Sequence, residues 1–231
     1  MTPYFPDATR AVFFDAVGTL LFPKPSALVV YATVARSMGL ELAPAEVRTR
    51  FLAAYRKQET ADRITGWVTS EEREHDRWRA IVHETLLGVS DPEACFRELY
   101  EHFSKPSGWE VNRDAAFVLG KLQARGLVLG MGSNYDARLW SVLEGFPELA
   151  PLKERTVISA AVSFRKPAAQ FFAEVVRVAG CHPAEVLFVG DDVANDYHGA
   201  TAAGLNAVLL DDQSEVCGVE PRITTLRELT D

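Results

Sequence analysis

Apolar positions along the chain change their period twice, and each change marks a different kind of element. Residues 11–20, Ala-Val-Phe-Phe-Asp-Ala-Val-Gly-Thr-Leu, have the apolar, β-branched and aromatic content of a fully buried strand, broken by Asp15 and turned at Gly18. After Leu21 the period becomes helical as far as Phe103, and four helices fit the block. The first follows Pro25-Ser26, carries Leu28, Tyr31, Val34, Ala35 and Met38 on one face, and ends at Gly39. The second opens at Pro44 and presents Val47, Phe51, Ala54 and Tyr55. Thr69 with Glu72 has capping-box spacing and predicts the start of the third, whose apolar side includes Trp78, Ile81, Val82 and Leu86. Asp91-Pro92 starts the fourth, which runs through Cys95 and Leu99.

The stretch Ser104-Lys105-Pro106-Ser107-Gly108 reads as a linker and mirrors Phe22-Pro23-Lys24-Pro25 at the other end of the block. Two such hinges predict a small helical bundle, residues 23–105, mounted on a main domain made of 1–22 and 106–231. From Asn112 the alternation typical of a parallel α/β sheet takes over. A helix with Ala115, Val118, Leu119 and Leu122 is followed by a strand Leu127 to Gly132, a helix Ala137 to Glu144 and a strand Thr156 to Ala161. A helix Ala168 to Ala179, a strand Val186 to Gly190, a helix Ala194 to Ala203, a strand Ala207 to Leu210 and a last helix after Thr225 complete the pattern.

Composition narrows the classes without choosing among functions. In 231 residues, 48% are hydrophobic and 24% charged, which excludes disordered and fibrous chains. A net charge of -8 argues against a general nucleic-acid or anionic-membrane surface, so any anion site is built locally. Cys95, Cys181 and Cys217 are odd in number and form no CxxC pair, which points to idle thiols in a reducing compartment. No apolar run approaches membrane-spanning length and no signal-like start precedes Arg10, so a cytoplasmic protein is expected.

Polar residues collect where the strands end. An acid at the carboxyl end of a buried strand, as at Asp15, either projects into the crevice where open α/β sheets bind ligands or caps a turn. Ser133-Asn134 follows the second strand and offers a hydroxyl and an amide to an anion, or a cap. Lys166 precedes Pro167 and a helix, as a cation for an anionic substrate or a solvated charge. Gly190-Asp191-Asp192-Val193-Ala194-Asn195-Asp196 then closes the buried strand from Val186. If Asp191 and Asp196 approach Asp15, each like-charge pair costs on the order of 4 kcal/mol at 4 Å and an effective dielectric near 20. A divalent cation removes that cost, and oxygen-only ligands favour Mg²⁺.

Taken together, these four sets resemble the motifs of the haloacid dehalogenase superfamily of hydrolases, in order and spacing, over nearly the whole chain. Asp15-Ala16-Val17-Gly18-Thr19-Leu20 is similar to the first motif, Ser133-Asn134 to the second, Lys166-Pro167 to the third, and Gly190-Asp191 through Asn195-Asp196 to the fourth. The helical block is similar to the family's C1 cap. The resemblance implies an α/β fold with a Rossmann-like parallel sheet core and an inserted four-helix cap. It implies Asp15 as nucleophile, Thr19, Ser133 and Asn134 as binders of the transferred group, and Lys166 as partner of both that group and Asp15. It also implies Mg²⁺ held by Asp15, Asp191, Asp196 and the backbone carbonyl of Val17, and a small phosphorylated metabolite as substrate for a monomer or homodimer.

One position departs from the phosphatase pattern. Where family phosphatases carry a second aspartate as general acid and base, this chain has Val17, which neither gives nor takes a proton. General acid–base help is worth roughly 10² to 10⁴ in rate. Three functions stay open: a Mg²⁺-dependent phosphatase for substrates with good leaving groups, a 2-haloacid dehalogenase, and a phospholigand binder without turnover. Asp192 and Tyr135 are candidate replacements for the missing acid. The fourth-motif carboxylates count against the dehalogenase, which the family resemblance describes as metal-free.

Other features read as structure. His75 and His83, eight residues apart in a charged helix, form no HExxH pair and are expected on a solvated face. Tyr31, Phe51, Tyr55 and Trp78 are expected as core of the helical block, with the alternative that one exposed toward Asp15 selects substrates. Gly130-Met131-Gly132 lacks the third glycine of a dinucleotide loop.

Overall fold

Alternation within the buried runs sorts their side chains onto two faces, and the computed structural model, which describes residues 4–214, 216 and 218–230, shows both faces covered. Strand β1 (Ala11–Phe14) sends Val12 and Phe14 to one side and Ala11 and Phe13 to the other. On the first side they meet helices α5 (Ala115–Ala124) and α6 (Arg138–Glu144), and on the second helix α8 (Ala169–Ala179). The remaining strands are β4 (Val128–Ser133), β5 (Thr156–Ile158), β6 (Val186–Gly190), β7 (Asn206–Leu210) and β8 (Arg222–Ile223). They form one parallel six-stranded sheet in the order β5-β4-β1-β6-β7-β8. This is an α/β, Rossmann-like core.

The helical block folds against its own apolar cluster. Helices α1 (Ala27–Ser37), α2 (Pro44–Ile64), α3 (Glu71–Thr85) and α4 (Pro92–His102) gather Val30, Val34, Val47, Val82, Leu86 and Leu99 into a core separate from the two sheet faces. Its two hinges meet, because β2 (Leu21–Pro23) pairs antiparallel with β3 (Trp109–Val111). A second seam joins the block to the sheet domain. Val68 bridges Phe164, Thr69 N donates to Ser163 O at 3.0 Å, and Arg165 N donates to Trp67 O at 2.9 Å. Neither the ribbon nor the seam is foreseen by local periodicity, since each pairs segments far apart in sequence.

Several local expectations shift. Ser70, not Thr69, caps α3 by accepting from Arg73 N, because the seam fixes the backbone of Thr69 and turns its hydroxyl toward Glu74 at 2.8 Å. The strand expected to reach Ala161 stops at Ile158, and a helical turn α7 (Ser159–Val162) follows, anchored by Ser159 Oγ donating to Tyr135 O. The helix expected over Ala194 to Ala203 is a π-helical turn (Val193–His198) that passes into α9 (Gly199–Ala202). After Thr225 there is only a 3₁₀ turn, Leu226–Leu229. Cys95 is buried and Cys181 half-buried, both free, while Cys217 lies outside the described residues. Among the described residues no helix is long and apolar enough to cross a membrane.

Candidate active site

Parallel register brings the polar strand ends to one edge of the sheet. Phe14 lies beside Met131 of β4 and Val189 of β6, so Asp15, Ser133 and Gly190-Asp191 emerge side by side. Two glycines make the approach possible. Gly18 has φ +94, and a β-carbon there would collide with the Asp191 carboxylate; one on Gly190 would collide with that of Asp196.

Asp15, Asp191 and Asp196 place one carboxylate oxygen each within 4.8 Å of one another. Between two of them sits the ammonium of Lys166, 2.5 Å from Asp15 Oδ1, 2.6 Å from Asp196 Oδ1 and 3.0 Å from Gly132 O. Lys166 is 2% exposed. Burial opposes its charge, but the carboxylates of Asp15 and Asp196 outweigh burial and hold the ammonium above its ordinary range. One cation among three carboxylates leaves an excess of negative charge. Crowding by protein, then the charges of Asp15 and Asp196, pushes the Asp191 carboxyl up to about 8. Burial, helped by Asp15 and opposed by Lys166, pushes Asp196 up to about 7. An all-oxygen cluster with surplus charge is the donor set that suits Mg²⁺.

Other expected binders have different partners. Thr19 is fully buried, does not line the cavity, and donates to Asp191 Oδ1 at 3.2 Å. Asn134 lines the cavity, yet both ends of its amide grip the Lys166 backbone, with Lys166 N donating to Oδ1 at 2.7 Å and Nδ2 donating to Lys166 O at 3.1 Å. Thr19 therefore orients an acid and Asn134 orients the lysine loop. Ser133 and Val17 do line the cavity.

Both candidate replacements for the missing acid line the cavity, and both already have hydrogen-bond partners. Asp192 caps the π-helical turn, accepting from Ala194 N and Asn195 N at 2.8 Å and from Asn195 Nδ2 at 3.0 Å. Tyr135 donates its hydroxyl to Phe103 O at 3.1 Å, and burial raises its pKa further from neutrality.

Above the carboxylates the cavity measures about 310 Å³ and continues between the sheet edge and the helical block. Tyr31, Phe51, Tyr55 and Trp78, expected first as helical core, line it, because the block packs with this side of its core turned to Asp15. Three arginines reach it as well. Arg77, 1% exposed, donates to Asp62 Oδ2 at 2.9 Å and pairs with Glu59; Arg165 pairs with Glu74; Arg138 donates to Asp136 through Nε and Nη2, both at 2.7 Å. Asp62 and Glu74 are wholly buried, so the α2–α3 charges do not all lie on a solvated face. His75 of α3 is half-exposed and rests edge-on against Phe96 and Tyr100. The arginines have a faint local signal, since Arg165 precedes Lys166 and Arg138 lies close after Asn134. The carboxylate partners of Arg165 and Arg77 come from other elements, whereas Arg138 pairs with Asp136, two residues before it.

Comparison with known proteins agrees with this geometry. A family model described as haloacid dehalogenase-like hydrolase matches residues 9–204. The chain is 34% identical over 223 residues to the bovine haloacid dehalogenase-like hydrolase domain-containing protein 3, covering 92% of this chain and 83% of that protein. It is 32% identical over 159 residues to a glyceraldehyde 3-phosphate phosphatase of Methanothermobacter thermautotrophicus, covering 68% of this chain and 70% of the other. The solved L-2-haloacid dehalogenase of Xanthobacter autotrophicus superposes with a TM-score of 0.74 at 17% identity, covering 96% of each chain, a likeness of fold.

Proposed function

We propose a reaction for this chain from one settled premise: it belongs to the haloacid dehalogenase-like hydrolases. The reaction is hydrolysis of a phosphoric ester or anhydride through a phosphorylated Asp15. The observation that carries it is the cluster at the end of β1, where Asp15 opens on the cavity with Lys166 Nζ at 2.5 Å and the oxygens of Asp191 and Asp196 within 4.8 Å.

Asp15 attacks phosphorus with a carboxylate oxygen; the new P–O bond forms as the bond to the leaving oxygen breaks, and the electron pair departs with that oxygen. Water then attacks phosphorus, releases inorganic phosphate and restores the Asp15 carboxylate. Lys166 holds a phosphoryl oxygen and orients the Asp15 carboxylate, while Ser133 donates to a second oxygen from the end of β4. Thr19 fixes Asp191, and Asn134 fixes the backbone that carries Lys166. Asp15, Asp191, Asp196 and the Val17 carbonyl would hold Mg²⁺, which when bound neutralises the surplus charge and polarises the phosphoryl group. Val17 leaves the departing oxygen without a proton donor, so the reaction is confined to oxygens that leave as stable anions.

Phosphate release from 4-nitrophenyl phosphate and acetyl phosphate, with Mg²⁺ and with EDTA, tests the reading. Turnover with Mg²⁺ that disappears in EDTA and in Asp15→Asn supports it. Chloride release from a 2-haloacid unaffected by EDTA would replace it with the dehalogenase, and phosphate binding without any turnover would replace it with a binder. The three clustered carboxylates favour the phosphatase over the metal-free dehalogenase.

A further inference from the structure

The part of the cavity remote from Asp15 has a chemistry of its own. Its walls are aromatic: Tyr31, Phe51, Tyr55 and Trp78 from the helical block face Trp109 and Tyr135 from the sheet domain. Rings there already pack on one another, with Phe51 stacked on Tyr55 at 6.0 Å and Tyr31 edge-on to Phe51 at 5.6 Å. The cations that reach it are neutralised, Arg77 by Asp62 and Glu59, Arg138 by Asp136, and Arg165 by Glu74. Two of them also sit over tyrosine rings, Arg138 Cζ at 3.6 Å from the Tyr100 ring centre and Arg77 Cζ at 4.6 Å from that of Tyr55. Tyr135 gives its hydroxyl proton to a backbone carbonyl.

Such a wall offers ring faces and edges, but neither a free cation for a second phosphate or carboxylate nor the dense hydrogen bonding that a sugar requires. At about 310 Å³ the cavity is at the small end of ligand pockets, so beyond the phosphoryl site there is room for one or two fused rings. Val17 imposes an independent condition at the other end of the same cavity, since the leaving oxygen departs unprotonated. Phenols meet both conditions: they are flat, uncharged and apolar, and their oxygens are far better leaving groups than alkoxides.

We propose that the substrate class is aryl phosphate, a phosphate ester of an uncharged phenol whose ring lies between Trp78, Phe51 and Tyr55 of the helical block and the Trp109 side of the sheet domain. This rests on the phosphatase reading above. Asp15 forms the bond to phosphorus, the aryl O–P bond breaks, and the phenolate carries away the electron pair and takes its proton from water on release. Ring recognition and leaving-group ability are separable, because benzyl phosphate presents a ring but leaves as an alkoxide.

Two measurements on the full chain with Mg²⁺ test this. The first is calorimetric binding of phenylphosphonate against methylphosphonate to Asp15→Asn, which needs no turnover. Binding of the phenyl compound at least about tenfold tighter is expected, from ring contacts that the methyl compound cannot make. Equal binding overturns the proposal whether or not any phosphatase activity exists. The second is kcat/KM on phenyl, benzyl and acetyl phosphates for wild type, Trp78→Leu and Phe51→Leu. Phenyl phosphate is expected to be the best ester, with KM for both ring compounds rising about fivefold or more in the variants and acetyl phosphate, which has no ring, changing less than about twofold. If acetyl phosphate is hydrolysed but the ring compounds are no better than glycerol phosphate, the phosphatase reading stands and the aryl assignment falls. If no compound is hydrolysed while phenylphosphonate still binds preferentially, the reaction falls and the aromatic pocket stands.

Discussion

Lys166 Nζ lies 2.5 Å from Asp15 Oδ1, although 151 residues separate the two in the chain. The same ammonium reaches Asp196 and the Gly132 carbonyl, so it ties the ends of β1, β4 and the turn after β6 into one polar knot. Replacing it with Met keeps much of the volume and removes the charge. Lys166→Met is expected to lower kcat by roughly 10²–10³, the scale of losing one preorganised donor to a developing charge. Steady-state kinetics with a circular dichroism control reads this; a change within about threefold at unchanged fold would reduce Lys166 to a structural counter-ion.

Val17→Asp restores a proton donor and acceptor beside the nucleophile, on the cavity wall. Hydrolysis of alkyl phosphates is expected to rise by about 10² or more, with little gain on acetyl phosphate, whose leaving group needs no proton. Parallel gains on both substrates, or none on either, would mean that proton transfer is not what limits the wild-type chain.

The surplus charge of the carboxylate cluster links stability to pH and to Mg²⁺. Asp196, pushed up to about 7 from an ordinary 3.8, binds a proton in the folded chain that the unfolded chain has released, and Asp191, pushed up to about 8, does the same. Their contribution is complete below the unfolded value and is lost as pH rises through about 7 to 8. In EDTA the melting temperature is therefore expected to fall between about pH 5 and about pH 8, and Mg²⁺ to raise it more at the higher pH, where it need not displace protons. A Mg²⁺ shift that is equal at both pH values would count against the cluster as its site.

Within the helical block, Asp62 of α2 holds two arginines of α3, accepting from Arg73 Nη2 at 2.5 Å and from Arg77 Nε at 2.9 Å while itself fully buried, and Arg165 of the sheet domain lies 3.7 Å from it. Asp62→Ala leaves Arg77 in the interior with Glu59 as its remaining carboxylate partner among these contacts. A loss of about 3–5 kcal/mol in urea unfolding is expected, because an uncompensated buried charge costs far more than the pair contributes. A loss below about 1 kcal/mol would mean that water reaches the guanidinium.

Much of this protein was legible without coordinates wherever the determining physics is local. Continuous apolar runs located β1, β4 and β6, because a parallel sheet buries both faces, and the 3.6-residue period located the four helices of the block, because burial of one face constrains neighbouring residues in a fixed register. Asp15, Ser133, Lys166, Asp191 and Asp196 stood out because polar residues interrupt apolar runs at strand ends, and a parallel sheet delivers all its carboxyl ends to one edge. Capping errors such as Thr69 for Ser70, and the π-helical turn at Val193–His198, arose where a distant segment overrode local propensity.

What only the tertiary structure decided is which groups face each other. Thr19 and Asn134 look like substrate ligands in the chain; in the fold Thr19 donates to Asp191, and Asn134, on the cavity wall, grips the Lys166 backbone with both ends of its amide. Tyr31, Phe51, Tyr55 and Trp78 follow helical spacing that fits a core equally well. They line the cavity because the antiparallel ribbon of β2 with β3 and the seam at Val68–Phe164 set the block over Asp15. A side chain's periodicity records that it is buried; the partner that buries it is chosen by chain segments nearly a hundred residues apart, through contacts that no local pattern encodes.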